Sequence, residues 1–96
     1  MRPKKTRWVK CSSAQRHFKP QTNAESAKEK IILSLDEFEA VRLLDYEHFS
    51  QTQAAKQMRV HRSTVSRIIS SARRKIAEAL VDIHTLKIEG GCCRVV

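Results

Sequence analysis

The chain has 96 residues, and 19 lysines and arginines against 10 acids leave it at +9 with a mean hydropathy of −0.48. That length fits one domain with a modest core and leaves little room for a separate ligand-binding domain. No apolar run approaches a membrane span, the basic start has no apolar stretch behind it, and three cysteines without a secretion signal favour reduced thiols, so a cytoplasmic protein with no membrane partner is expected.

The placement of charge says more than its sum. Residues 1–20 carry seven basic side chains and no acid, residues 56–75 repeat that count, and residues 36–47 hold five acids and one arginine. Such segregation favours a polyanion on one face of the molecule. RNA or an anionic membrane surface would suit the basic balance alone.

Residues 1–20 read as a basic arm. Arg2, Lys4, Lys5 and Arg7 suit a flexible segment that slips along a minor groove, and a solvated tail is the alternative. Trp8-Val9 is the compact apolar pair there and predicts a short strand. Pro20 denies Lys19 a helical conformation and closes the segment. Residues 21–33 read as a connection, polar to residue 30 and then apolar through Ile31-Ile32-Leu33.

Residues 34–84 predict a helix-turn-helix domain. Ser34 with Glu37 has the spacing of a capping box and opens helix one, whose apolar stripe of Phe38, Val41 and Leu44 should run to about Glu47 and brace the rest from behind. Ser50 with Gln53 is a second capping box, starting helix two near Gln51, with Phe49 placed to staple the entry. Ala54, Ala55 and Met58 share one face, small where another helix must cross closely. The chain turns at Arg59-Val60-His61 with Val60 as an apolar plug. A helix normally leaves such a turn through a left-handed residue, here Arg59.

Val65, Ile68, Ile69, Ala72, Ile76, Ala79, Leu80 and Ile83 then form one stripe, so a single long third helix is expected over about 62–83. Its second half outruns helices one and two. Either the N-terminal segment or a second copy should cover Leu80 and Ile83, and a homodimer is the expectation. Thr85-Leu-Lys-Ile-Glu89 alternates before Gly90-Gly91, so residues 85–96 read as a short strand and tail. Its partner is either Arg7-Trp-Val-Lys10 or the same segment in a second copy. The fold class is therefore mainly α, a helix-turn-helix with a bracing helix one and a long third helix, plus a short pairing of N- and C-terminal strands.

The polar residues of the third helix carry the chemistry. His61, Arg62, Ser63, Thr64, Ser66 and Arg67 occupy its first turns, where a helix in the major groove presents side chains to base edges; arginine suits guanine, and Ser and Thr are permissive. Gln51, Thr52, Arg59, Arg73 and Arg74 are the candidates for phosphate. An amphipathic helix with a solvated basic face is the alternative to base reading. No nucleophile stands at a convincing spacing from His17, His48, His61 or His84, and no glycine-rich phosphate loop is present, so no enzyme is expected.

With Leu35-Asp-Glu-Phe-Glu-Ala-Val-Arg-Leu43, Gln53-Ala-Ala, Arg62-Ser-Thr-Val-Ser-Arg67, Ala72-Arg-Arg-Lys-Ile-Ala-Glu-Ala-Leu80 and Lys87-Ile-Glu-Gly-Gly91 read, the chain resembles a small prokaryotic family of uncharacterised, predicted DNA-binding proteins. Their helix-turn-helix is similar to region four of sigma factors. The resemblance spans nearly the whole chain and implies a transcriptional regulator on double-stranded DNA, with residues 51–58 as positioning helix and 61–67 as reading turn. It also admits RNA polymerase as a partner. Family members usually carry glycine at the turn, where this chain has Arg59. Similar proteins often carry cysteines near both ends, which raises a metal- or redox-sensing site made of Cys11, His17, Cys92 and Cys93. Adjacent cysteines and the lack of Cys-x-x-Cys make an irregular ligand set, and ordinary thiols with no cofactor are the simpler expectation.

Overall fold

The computed structural model describes residues 6–10, 16–91 and 93–95. It is a mixed α/β fold, mainly α. Its strands are β1 (Arg7–Val9), β2 (His17–Phe18), β3 (Lys30–Leu33), β4 (Thr85–Ile88) and β5 (Cys93–Val95), and its helices are α1 (Leu35–Val41), α2 (Gln51–Met58) and α3 (Arg62–Val81). No helix among the described residues is long and apolar enough to cross a membrane.

The helices begin as their capping residues require. The Glu37 carboxylate accepts the Ser34 backbone N–H at 2.9 Å, and the Ser34 hydroxyl turns to Glu37 and Asp36. At α2 the box is reciprocal: the Ser50 hydroxyl accepts the Gln53 N–H at 3.1 Å, and the Gln53 side chain accepts the Ser50 N–H at 2.9 Å. Helix one does not run as a regular α-helix to Glu47. After Val41 it widens into a π-helical turn over Arg42–Tyr46, closed by the Glu47 N–H on the Arg42 carbonyl at 2.9 Å. The extra residue in that turn shifts the stripe, so that Leu43 is buried, Leu44 packs on the core and Tyr46 is exposed.

The turn from α2 to α3 is left-handed at Arg59 (φ 56°, ψ 46°), as the sequence predicts. The Val60 N–H reaches back to the Ala55 carbonyl at 3.0 Å and the Arg59 N–H to Lys56 at 3.3 Å, so the last carbonyls of α2 are satisfied. Ala40, Leu43, Ala54, Ala55, Met58, Val65, Ile68 and Ile69 then make one buried core, with Phe49 and Val60 packed on it. A second core forms farther along α3, where Ala72 meets Leu33 and Ile88, flanked by Phe38, Ile76 and Leu86. At its end α3 reverses through Ile83 (φ 57°), and the His84 N–H closes on the Ala79 carbonyl at 2.9 Å.

The strands depart from the sequence reading. β4 is the middle of a three-stranded sheet, parallel to β3 (Ile31 beside Leu86, Leu33 beside Ile88) and antiparallel to β2 (His17 beside Lys87). Residues 21–33 are therefore more than a connection: they contain a short 3₁₀ turn at Glu25–Lys28 and end in β3. β1 does not pair with β4. It lies parallel to β5, with Arg7 beside Cys93 and Val9 beside Val95, so N- and C-terminal strands do pair, but one strand later than predicted. β2 draws the N-terminal segment alongside α3, yet Leu80 and Ile83 stay exposed.

Candidate nucleic-acid interface

α3 starts at His61, whose ring Nδ1 accepts the Ser63 backbone N–H at 3.1 Å and lies 2.8 Å from the Ser63 hydroxyl. A ring nitrogen that accepts here puts the hydrogen of the neutral imidazole on Nε2, which leaves a donor for another partner. The His61 carbonyl takes the Thr64 N–H at 2.9 Å, so the first turn is capped by side chain and backbone together. This geometry brings Gln51 from the start of α2 beside His61, Arg62, Ser63, Ser66 and Arg67, which line one open hollow of about 570 Å³. Thr64 does not join them; it is half-buried on the inner side of the helix.

The acids explain the charge pattern. Asp36 pairs with Arg7 at 2.9 Å, Glu39 holds Arg42 at 2.7 Å and also accepts the Lys10 N–H at 2.8 Å, Glu37 takes Lys75 at 2.7 Å, and Asp45 takes Arg73 at 2.6 Å. Asp36, Glu37 and Glu39 are buried and would be costly there without these partners. Burial alone would raise the Glu37 carboxyl. Hydrogen bonds from Lys75, Ser71 and Ser34 together outweigh it and hold the group below the usual carboxylate range. Three of these acids neutralise cations from buried positions, and Asp45 does so at the surface. Arg62, Arg67 and Arg74 are exposed and, among the described residues, have no ion-pair partner.

The remaining predicted residues scatter. Thr52 is exposed and Gln51 half-buried at the rim of the hollow. Arg73 is committed to Asp45, whose hydrogen bond raises the guanidinium above its ordinary range. Arg59 is stacked on the Trp8 ring, 3.3 Å from its centroid, with Arg94 at 5.5 Å from the same ring. That stack ties β1 to the turn between α2 and α3. Arg7 is no arm residue: it sits in β1, largely buried against Asp36. Arg2, Lys4 and Lys5 lie outside the described residues.

The cysteine site is not assembled by what is described. Cys11 and Cys92 lie outside the described residues, and Cys93 contributes backbone to β5. His17 is exposed on β2, and desolvation followed by the charges of Lys19, Lys87 and Lys30 lowers its pKa, a cationic setting that disfavours a metal ion. Among the described residues the group with ligand spacing is instead Glu78, Asp82 and His84, whose polar atoms lie within 4.8 Å of one another. Both carboxylates are exposed, and the His84 Nδ1 is engaged by the Ser26 carbonyl at 2.7 Å. The sequence reading also missed a second basic hollow lined by Trp8, Lys10, Lys56, Gln57 and Arg59. It joins segments far apart in the chain, and the lone tryptophan of a basic segment is the nearest signal for it.

Residues 1–95 match the family described as a protein of unknown function, DUF134. A UPF0251 protein of Thermoanaerobacter pseudethanolicus is 45% identical over 94 residues, covering 98% of this chain and 80% of that protein. One from Desulfitobacterium hafniense is 41% identical over 90 residues, covering 94% and 72%. One from Methanosarcina mazei is 41% identical over 95 residues, covering 99% of this chain but 58% of that longer protein. No solved structure matches the chain.

Proposed function

The chain belongs to the DUF134 family, and from the surface chemistry of α2 and α3 we propose that it is a transcriptional regulator that binds double-stranded DNA sequence-specifically through a helix-turn-helix. The observation that carries this reading is the distribution of ion pairs. Asp36, Glu37, Glu39 and Asp45 are engaged by Arg7, Lys75, Arg42 and Arg73, while Arg62 and Arg67, which stand in the hollow beside Ser63, Ser66, Gln51 and the capped His61, have no ion-pair partner among the described residues. Two exposed guanidiniums, with hydroxyl and amide groups between them, form a donor-rich surface of the sort that base edges and phosphates accept. In this reading the first turns of α3 enter the major groove, and the N-terminus of α2, with Gln51 and Thr52, faces the backbone. Arg74 follows about two helical turns beyond Arg67 on the same face and is assigned to phosphate.

Selection of bound duplexes from a random pool, followed by titration at several salt concentrations, tests the assignment. Arg62→Ala and Arg67→Ala each cost about 1–3 kcal/mol on the selected site and relax preference at one position. Arg74→Ala weakens all duplexes alike and lowers the salt slope by about one unit. The reading is wrong if all three substitutions behave alike, or if structured RNA outcompetes the selected duplex.

A further inference from the structure

We propose that the groove between β2 and the C-terminal end of α3 receives a second copy of this chain, forming a two-fold dimer. Three of the most exposed apolar side chains gather here: Leu80 is 75% exposed, Phe18 58% and Ile83 48%. Phe18, Pro20, Ala79, Leu80, Ile83 and Leu86 wall a groove of about 440 Å³, roomy enough for more than one aliphatic side chain. Each copy therefore offers both an apolar groove and, in Leu80 on its wall, an exposed side chain that the groove of the other copy can receive, which is what a self-complementary interface requires.

The rim charges choose the occupant. Lys19 lies on the β2 wall, and Glu78 and Asp82 cluster at the helix wall around His84. Lys19 and Glu78 have no ion-pair partner among the described residues. A two-fold axis across the groove sets the β2 wall of one copy against the helix wall of the other, and so brings Lys19 to the partner copy's acids on both sides at once. Standard interfaces bury about 800 Å² per partner. A patch built on three exposed apolar side chains sits at the low end of that class.

The dimer deepens the DNA-binding reading, and one part of it rests on that reading. α3 runs unbroken from Arg62 to Val81, so about 27 Å of rigid helix at 1.5 Å per residue links the reading turn to Leu80. Half-sites one helical turn apart put each reading turn about 17 Å from the axis. A helix tilted about 40° to the axis meets that offset from its 27 Å length.

Sedimentation equilibrium of the full chain without DNA tests the dimer apart from the DNA reading. The wild-type chain is expected to dimerise, and Leu80→Glu to weaken association about thirtyfold while the circular dichroism melt of dilute, monomeric protein stays unchanged. Phe18→Lys gives a second disruption, on the opposite wall of the groove. Lys19→Glu and Asp82→Lys should each weaken the dimer about threefold to tenfold and together recover most of the loss. A monomer at high micromolar concentration overturns the proposal, as does a dimer indifferent to both Leu80→Glu and Phe18→Lys. A dimer that obeys these substitutions but binds no duplex keeps the interface and removes the function proposed above.

Discussion

The two ends of α3 carry the same apolar stripe and meet opposite fates. At the N-terminal end Val65, Ile68 and Ile69 are enclosed by α1 and α2; at the C-terminal end Ala72 and Ala79 are covered, but Leu80 faces outward. Periodicity tells which side of a helix is apolar and says nothing of how much cover the chain can bring to it. The first half is covered by its neighbours in sequence, joined through short connections. The second half depends on β3 and β4, which cover Ala72 and leave Leu80 exposed.

Truncation at the two ends makes the contrast measurable. Ile69→Ala or Met58→Ala should lower stability by about 2–5 kcal/mol in a thermal melt, because the buried sites cannot collapse. Leu80→Ala in dilute, monomeric protein should change it by less than about 0.5 kcal/mol. Equal losses would mean that both ends are buried alike.

A smaller effect concerns the ion pairs that fasten α1 to α3. Glu37→Gln should cost about 1–2 kcal/mol near neutral pH, through the weakened hydrogen bonds from Lys75, Ser71 and Ser34. The folded-state pKa of Glu37 lies below its unfolded value, so its contribution is present above the unfolded pKa, near 4.3, and fades as pH falls through the folded one. The difference in melting temperature between wild type and Glu37→Gln should therefore be constant at neutral pH and shrink on acidification. A gap that widened in acid would overturn the pairing.

Arg59 should show the smallest effect. Its left-handed backbone costs about 1–2 kcal/mol for a residue with a β-carbon, against roughly 0.5–1 kcal/mol of chain entropy for glycine. Those figures alone predict that Arg59→Gly stabilises. The stack on Trp8 contributes about 0.5–1 kcal/mol in return, so the substitution should move stability by less than about 0.5 kcal/mol. A double-mutant cycle with Trp8→Ala should recover about 0.5–1 kcal/mol of coupling. No coupling would leave arginine at this turn without an explanation.

What was legible follows from range. The caps at Ser34 and Ser50, the left-handed Arg59 and the stripe from Val65 to Ile76 are written within a few residues of where they act, and each appears at its predicted place. The ion pairs of Asp36 and Glu37, the Trp8 stack and the pairing of β1 with β5 join segments about thirty residues or more apart, and no local pattern marks them. Glu37 is legible as the capping-box partner of Ser34, yet it also holds Lys75, as its neighbour Asp36 holds Arg7. The π-helical turn at Arg42–Tyr46 escaped for a different reason: it adds one residue inside a stripe that a regular helix also satisfies.

The parallel pairing of β1 with β5 sets an order of assembly during synthesis. β1 emerges 86 residues ahead of its partner, Arg7 before Cys93, an interval on the order of ten seconds at ribosomal speeds of about 5–20 residues per second. The three helices and their core lie between these strands and need neither of them to begin packing. The helical unit can therefore form while Trp8 still waits on an unpaired strand. The clasp closes last, over a turn that already has its shape, and a chain released before β5 would keep the reading turn while leaving β1 open to pair with a neighbouring chain.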